Sequence, residues 1–252
     1  MTALQPLPPT ASARAEDSAD APPAVKARAL VLTGSRGAVY GPVDLEVRPG
    51  ELAIIHGPQG GGRSSLLLTL AGRMVPDRRS SLTVLGHELP RERRGVQRRA
   101  ALAGFAGIDD LDESVTVGNL FRERLAWLTP WYRRIPSVNQ ADIDRFAAPV
   151  FGPRPLPQVK SVVWDLDEVD VMLLRISLAM LQSPELLVVD DVDQVHDSAR
   201  RQFVWSRLEA VAATGVTVIT SAASLDEVPR FTWQRPPRQI FLTTGPHAHH
   251  AA

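Results

Sequence analysis

The chain has no cysteine. Disulfides, thiol catalysis and thiolate metal sites are therefore excluded. Lysine is nearly absent: Lys26 and Lys160 are the only two, and every other basic residue is arginine. With abundant alanine and proline, that bias suggests a GC-rich bacterial genome. Net charge is also absent, with 28 basic residues against 28 acidic ones. Nothing global draws the chain to nucleic acid or to an anionic surface. No apolar run approaches the roughly 20 residues that cross a bilayer. The opening MTALQPLPPTASARAEDSAD lacks the basic-then-apolar order of a secretory leader. These absences predict a cytoplasmic chain that can still dock onto a membrane protein.

What is present is ordinary for a globular protein. The 252 residues are 44% hydrophobic and 22% charged, enough for one large α/β domain with a substantial core. Residues 1–25 are rich in Pro, Ala, Ser and acids and read as a disordered tail. The end, 246–252, carries His247, His249 and His250 and reads as a flexible tail rather than a metal site. Between them, ARALVLTG and PVDLEV read as strands, RPGE as a turn, and ELAIIHG as a buried strand. SLTVLGHEL reads as a further short strand with a glycine turn, and RERRGVQRRAALAGFAG as a basic connector into an apolar strand. From about 117 to 182 the pattern is helical, interrupted by Pro130, Pro136, Pro149, Pro153, Pro155 and Pro157. PELLVVDD predicts a central parallel strand, HDSARRQFVWSRLEAVAATG a helix ending at Gly215, and VTVITSA and RQIFLTTG the last strands.

The chemistry lies in IIHGPQGGGRSSLLLTLAG. Residues Gly57, Pro58, Gln59, Gly60, Gly61, Gly62, Arg63, Ser64 and Ser65 follow the spacing G-x-x-x-x-G-K-[ST]-[ST], with Arg63 in the lysine position. Glycines let successive N–H groups curl around phosphate oxygens, and the helix that follows points its positive end at them. The first hydroxyl after the basic residue, Ser64, is the candidate Mg²⁺ ligand. A buried strand before the loop and an apolar helix after it make the match specific. A second acid belongs at the end of a buried strand, and LLVVDD supplies Asp190 for Mg²⁺ with Asp191 beside it.

With both motifs in place, 26–245 resembles the ATP-binding domain of ABC transporters. RPGELAIIHGPQGGGRSSLLLTLAG is similar to the family's phosphate loop and its flanks. SPELLVVDDVDQVHD is similar to its second acidic motif and D-loop, with Asp197 in the D-loop aspartate position. ESVTVGNL resembles the start of the helical subdomain, and GVTVITSAASLDEV the strand before the switch histidine. The resemblance implies a P-loop NTPase core with an antiparallel β subdomain and a helical subdomain at about 117–182. It implies Mg-ATP as ligand, a transmembrane permease or other membrane protein as partner, and a place at the inner face of the cell membrane.

It also marks departures. Counting back from Asp190 puts the signature Leu-Ser-Gly-Gly-Gln at LDEVD, Leu166 to Asp170. Asp167, Glu168 and Asp170 then bring negative charge toward a partner's triphosphate. One such contact at 4 Å costs on the order of 4 kcal/mol at an effective dielectric near 20. The catalytic glutamate position holds Asp191, the switch histidine position Ala223, and the glutamine position Gly107 or Ile108. Tyr40 is a candidate for stacking on adenine, displaced by a few residues. FRERLAWLTPWYRR combines arginines with Trp127, Trp131 and Tyr132, as a lobe core or as a docking surface. The expectation is an ATP-binding subunit with weak or lost hydrolysis, paired with a second, different nucleotide-binding subunit. A scaffold that no longer needs nucleotide and a small-molecule P-loop kinase are the competing readings.

Overall fold

The computed structural model describes residues 21–35, 37–135, 137–223 and 228–242. The expectations for 1–20 and for the histidines near the end, at 247, 249 and 250, lie outside the described residues.

Two sheets organise the chain. Strands β1 (Val25–Gly34), β2 (Gly37–Val47), β4 (Ser81–Val84) and β5 (His87–Leu89) form an antiparallel sheet in the order β2-β1-β4-β5. Residues 24 and 25, read from the sequence as part of the tail, are packed: Ala24 is buried and its carbonyl accepts from Leu85 N–H, and Val25 opens β1. The single strand expected over SLTVLGHEL is a hairpin instead. Leu85 and Gly86 both take positive φ, 50° and 78°, the geometry of a two-residue turn that matches strand twist.

The second sheet is parallel, in the order β6-β7-β8-β3-β9, from β6 (Ala100–Ala103), β7 (Leu186–Val189), β8 (Thr217–Ala222), β3 (Leu52–His56) and β9 (Arg238–Phe241). Its inner strands β7, β8 and β3 are buried on both faces. Ile54, Leu187, Val189 and Val218 belong to one core cluster; Ala53, Ile55, Leu186, Val188 and Ile219 belong to the other. That double burial is why LAIIH and LLVV read as continuous apolar runs without alternation.

Helix α1 (Arg63–Leu70) follows β3, and α2 (Arg93–Arg99) precedes β6. The arginines of the connector thus form a helix, and Arg99 ends it by pairing with Glu185. Helices α3 (Val117–Leu128), α4 (Gln140–Phe151) and α5 (Glu168–Met180) fill the helical region, and α6 (Ser198–Ala213) links β7 to β8. Pro149 does not break α4 but sits inside its last turn. There the helix has almost ended, so little of its hydrogen bonding depends on the missing N–H. Gly215 stands just past α6 at φ 99°, as a C-terminal glycine should. No helix among the described residues is long and apolar enough to cross a membrane.

Candidate nucleotide site

In parallel sheets, ligands gather at the carboxyl ends of the strands. Here that edge carries the glycine loop after β3, Asp190 and Asp191 after β7, and Ala223 after β8. Strand β8 lies between β3 and β7, so the loop and the acids emerge with one strand separating them.

The loop from Gly57 to Gly62 is a tight turn, with Gly61 N–H donating to Pro58 C=O at 2.9 Å. Gly60 and Gly62 hold φ of 77° and 81°, a region closed to most side chains. Gly62 caps α1 with no side-chain acceptor, and the first turn of α1 contains no acid. Its opening N–H groups therefore have no side chain to satisfy them, which favours an anion. Arg63 adds a positive charge, and its Nη1 is buried with no hydrogen-bond partner among the described residues. The Nε2 of His56, the last residue of β3, is likewise buried and unpartnered. Burial first, and the Arg63 charge second, lower the His56 pKa from its ordinary value. Ser64 is exposed and Ser65 half-buried on the first turn. Open amides, a half-buried arginine with one unpartnered nitrogen and an exposed hydroxyl fit a magnesium-bound phosphate group.

Asp190 is buried and accepts from Ser221 Oγ on β8. Ser221 Oγ also accepts from Asp191 N–H at 3.1 Å. This serine holds both acids, and nothing in ITSA marks it as doing so. Asp191 is exposed, in the left-handed region at φ 51°, ψ 50°, and accepts from Gln194 at 3.1 Å. Asp193 accepts from the Ala223 N–H, tying the segment after β7 to the end of β8. Asp197 caps α6, accepting from Arg200 N–H at 2.8 Å.

Tyr40 is not available to a base. It is fully buried under the loop; a Cβ on Gly62 would lie 2.9 Å from its own Cβ. Its hydroxyl donates to Thr69 Oγ1 at 2.7 Å, and Thr69 Oγ1 donates to Ser65 C=O at 2.8 Å. Burial pushes the phenol up to about 12. Tyr40 thus ties β2 to α1. Tyr40→Phe is expected to lower stability by about 1 kcal/mol in urea melts and to leave affinity for an ATP analogue unchanged.

The acidic run Leu166 to Asp170 also differs from the expectation of bare charge. Asp167 caps α5, accepting from Asp170 N–H at 2.9 Å. Arg154 pairs with both Asp167 and Asp170. Glu168 pairs with His196 at 3.1 Å and with Arg200 at 3.6 Å. Three carboxylates against two guanidinium groups leave about one net negative charge, so the simple repulsion argument is too strong. Asp167 and Glu168 both titrate below their ordinary range: for Asp167 burial pushes up but is outweighed by the Asp170 N–H and Arg154 together, and for Glu168 the His196 hydrogen bond leads. The end of α5 is thus occupied by its own cap. At the expected glutamine position, Gly107 takes φ 76° and Ile108 is exposed. The loop there is held by Asp109, which accepts from Gly104 and Phe105 N–H and pairs with the buried Arg175.

No family model matches the chain. Curated relatives do. The Nod factor export ATP-binding protein I of Rhizobium etli is 28% identical over 200 residues, covering 77% of this chain and 58% of that protein. Its namesake in Rhizobium sp. (strain N33) is 29% identical over 188 residues, covering 73% and 57%. The chain therefore spans less than two thirds of the length of these relatives. Among solved structures, cbiO1 from Clostridium perfringens, part of an ABC transporter complex, aligns with TM-score 0.69 at 16% identity over 88% of this chain and 85% of that one. An ATP-binding cassette of an ABC transporter in its ADP conformation gives TM-score 0.68 at 15% identity over 87% and 90%. The chain is related to Nod factor export ATP-binding proteins and has the fold of ABC transporter ATP-binding cassettes. In this cassette the glycine loop, Asp190 and Ala223 stand at one edge of the parallel sheet, and α5 opens on LDEVD.

Proposed function

We propose that this chain is the ATP-binding subunit of an ABC transporter-like membrane complex, with weak hydrolysis or none on its own. The observation that carries the reading is the buried, unpartnered Arg63 Nη1 at the uncapped start of α1. A triphosphate supplies the missing acceptor. Gly57 to Ser65 would hold the phosphates, and Ser64 and Asp190 the magnesium ion. Magnesium, when bound, would neutralise part of the phosphate charge. Arg63 is bulkier than lysine and pairs in a plane rather than as a point charge. Asp191 is one methylene shorter than the glutamate that would orient water, and a shift of about 1 Å costs roughly 100-fold in rate. Ala223 has no side chain to sense a γ-phosphate.

The helical region 117–182 would face a transmembrane permease at the inner side of the cell membrane. A cavity of about 340 Å³ between the loop after β6 and helices α3 and α5, lined by Leu111, Leu120 and Trp127 and as much by charged groups such as Asp110, Glu123 and Arg124, supports that reading.

Titration with a fluorescent ATP analogue and Mg²⁺ tests the function. Saturable binding is expected, and its absence would leave the nucleotide-independent scaffold in its place. Assembly gives a second expected outcome. A partner's triphosphate would meet an α5 N-terminus whose N–H is already bonded to Asp167. We therefore expect no tight Mg-ATP-dependent homodimer in light scattering, and a heterodimer with a subunit that carries an intact signature. Exchanging Asp167→Ser, Glu168→Gly and Val169→Gly should ease homodimer formation, because serine also caps helices while the Arg154 pairing to that position is lost.

A further inference from the structure

Four of the eight large apolar side chains exposed among the described residues fall between 127 and 132: Trp127 at 78%, Leu128, Trp131 at 95% and Tyr132. They form a single tip. Helix α3 ends at Leu128, and a β-turn follows in which Arg133 N–H donates to Pro130 C=O at 2.9 Å. Trp131 and Tyr132 take the two central positions of that turn and so project outward. Their rings touch edge to face, with centroids 6.0 Å apart. Arg133 and Arg134 follow, both exposed and without an ion-pair partner among the described residues. From Arg124 to Ala141 the sequence has no carboxylate at all.

The turn itself lies outside the partly charged cavity beside it, whose lining includes Trp127 but not Trp131, Tyr132, Arg133 or Arg134. A groove suits a partner helix. A protruding turn suits a flat, soft surface. Leaving two aromatic rings in water is unfavourable unless something covers them. Tryptophan and tyrosine settle at the headgroup level of bilayers, with the ring body in the apolar edge and the polar tip wet. Arginines without nearby carboxylates are drawn to anionic headgroups.

We propose that the turn after α3, Trp131 to Arg134, is a lipid-contact site that seats the protein on an anionic membrane surface, independently of nucleotide and of any permease. The proposal rests on the reading of the chain as a membrane-complex subunit. Its test does not use nucleotide, so it can fail while ATP binding stands, and ATP binding can fail while it stands.

The experiment is co-sedimentation of the full chain with vesicles of phosphatidylcholine, alone or with about a third phosphatidylglycerol. Retention by the anionic vesicles is expected, with little by the neutral ones and less as salt is raised. Arg133→Gln and Arg134→Gln should each lower the partition coefficient about fivefold. Trp131→Ser with Tyr132→Ser should lower it about tenfold or more. Trp164→Ala, which removes another exposed tryptophan far along the chain, should leave it unchanged. Since the tip residues are exposed, all variants should melt with the parent. Failure to bind anionic vesicles would overturn the proposal and leave the tip to a protein partner. Equal binding to neutral vesicles, or equal loss from Trp164→Ala, would overturn it too.

Discussion

Replacing Gly60 with valine is expected to abolish binding of a fluorescent ATP analogue while the chain still folds. A Cβ at Gly60 meets nothing within 4 Å, so the cost to the fold is the left-handed φ of 77° alone, about 1–2 kcal/mol. The same strain opens the loop, whose amides must stay curled to meet phosphate. The obvious alternative, Gly62→Val, is a poorer test. A Cβ there would lie 2.3 Å from Val39 C=O and 2.9 Å from Tyr40 Cβ, so both the fold and the site would suffer. Binding measured alongside a thermal melt separates the two effects. Unchanged affinity in folded Gly60→Val would place the nucleotide elsewhere.

The second large effect concerns turnover. Phosphate release by the purified protein should sit barely above background. Arg63→Lys, Asp191→Glu and Ala223→His together, combined with the Asp167→Ser, Glu168→Gly and Val169→Gly exchange, should raise it by about 100-fold or more. The structure accommodates two of these changes readily. The backbone N–H of residue 223 keeps its bond to Asp193, and serine at 167 keeps a helix cap. Asp191→Glu is the strained one, because the position has φ 51° and aspartate tolerates that region better than glutamate. Rapid turnover by the unmodified protein would overturn the reading of a weakened ATPase.

Folding logic explains which features could be read in advance. The glycine loop is local: the strand before it, the φ freedom within it and the helix after it lie in one continuous stretch, Leu52 to Leu70. Each leaves its mark as an apolar run, glycines or a helix start. Asp190 was legible for the same reason, as the first polar residue after the four-residue buried strand Leu186–Val189. The hairpin at Leu85 and Gly86 was only half legible, because Leu85 is not a residue that announces positive φ.

The sequence by itself determined the strand, glycine loop and helix from Leu52 to Leu70 and the buried strand that ends at Asp190, since each depends on neighbours within a few residues. Tertiary structure alone decided what the side chains do there. Tyr40 meets Thr69 29 residues away and becomes a strut between β2 and α1 rather than a platform for a base. Arg154 reaches Asp167 and Asp170, 13 and 16 residues on, and converts apparent bare charge into a closed ion-pair cluster. Ser221 reaches Asp190 across 31 residues, and Arg175 reaches back 66 to the loop at Asp109. Hydrogen bonds and ion pairs act over about 3 Å. Which groups come that close is settled by how strands pair and helices pack, and periodicity along a chain carries no record of it.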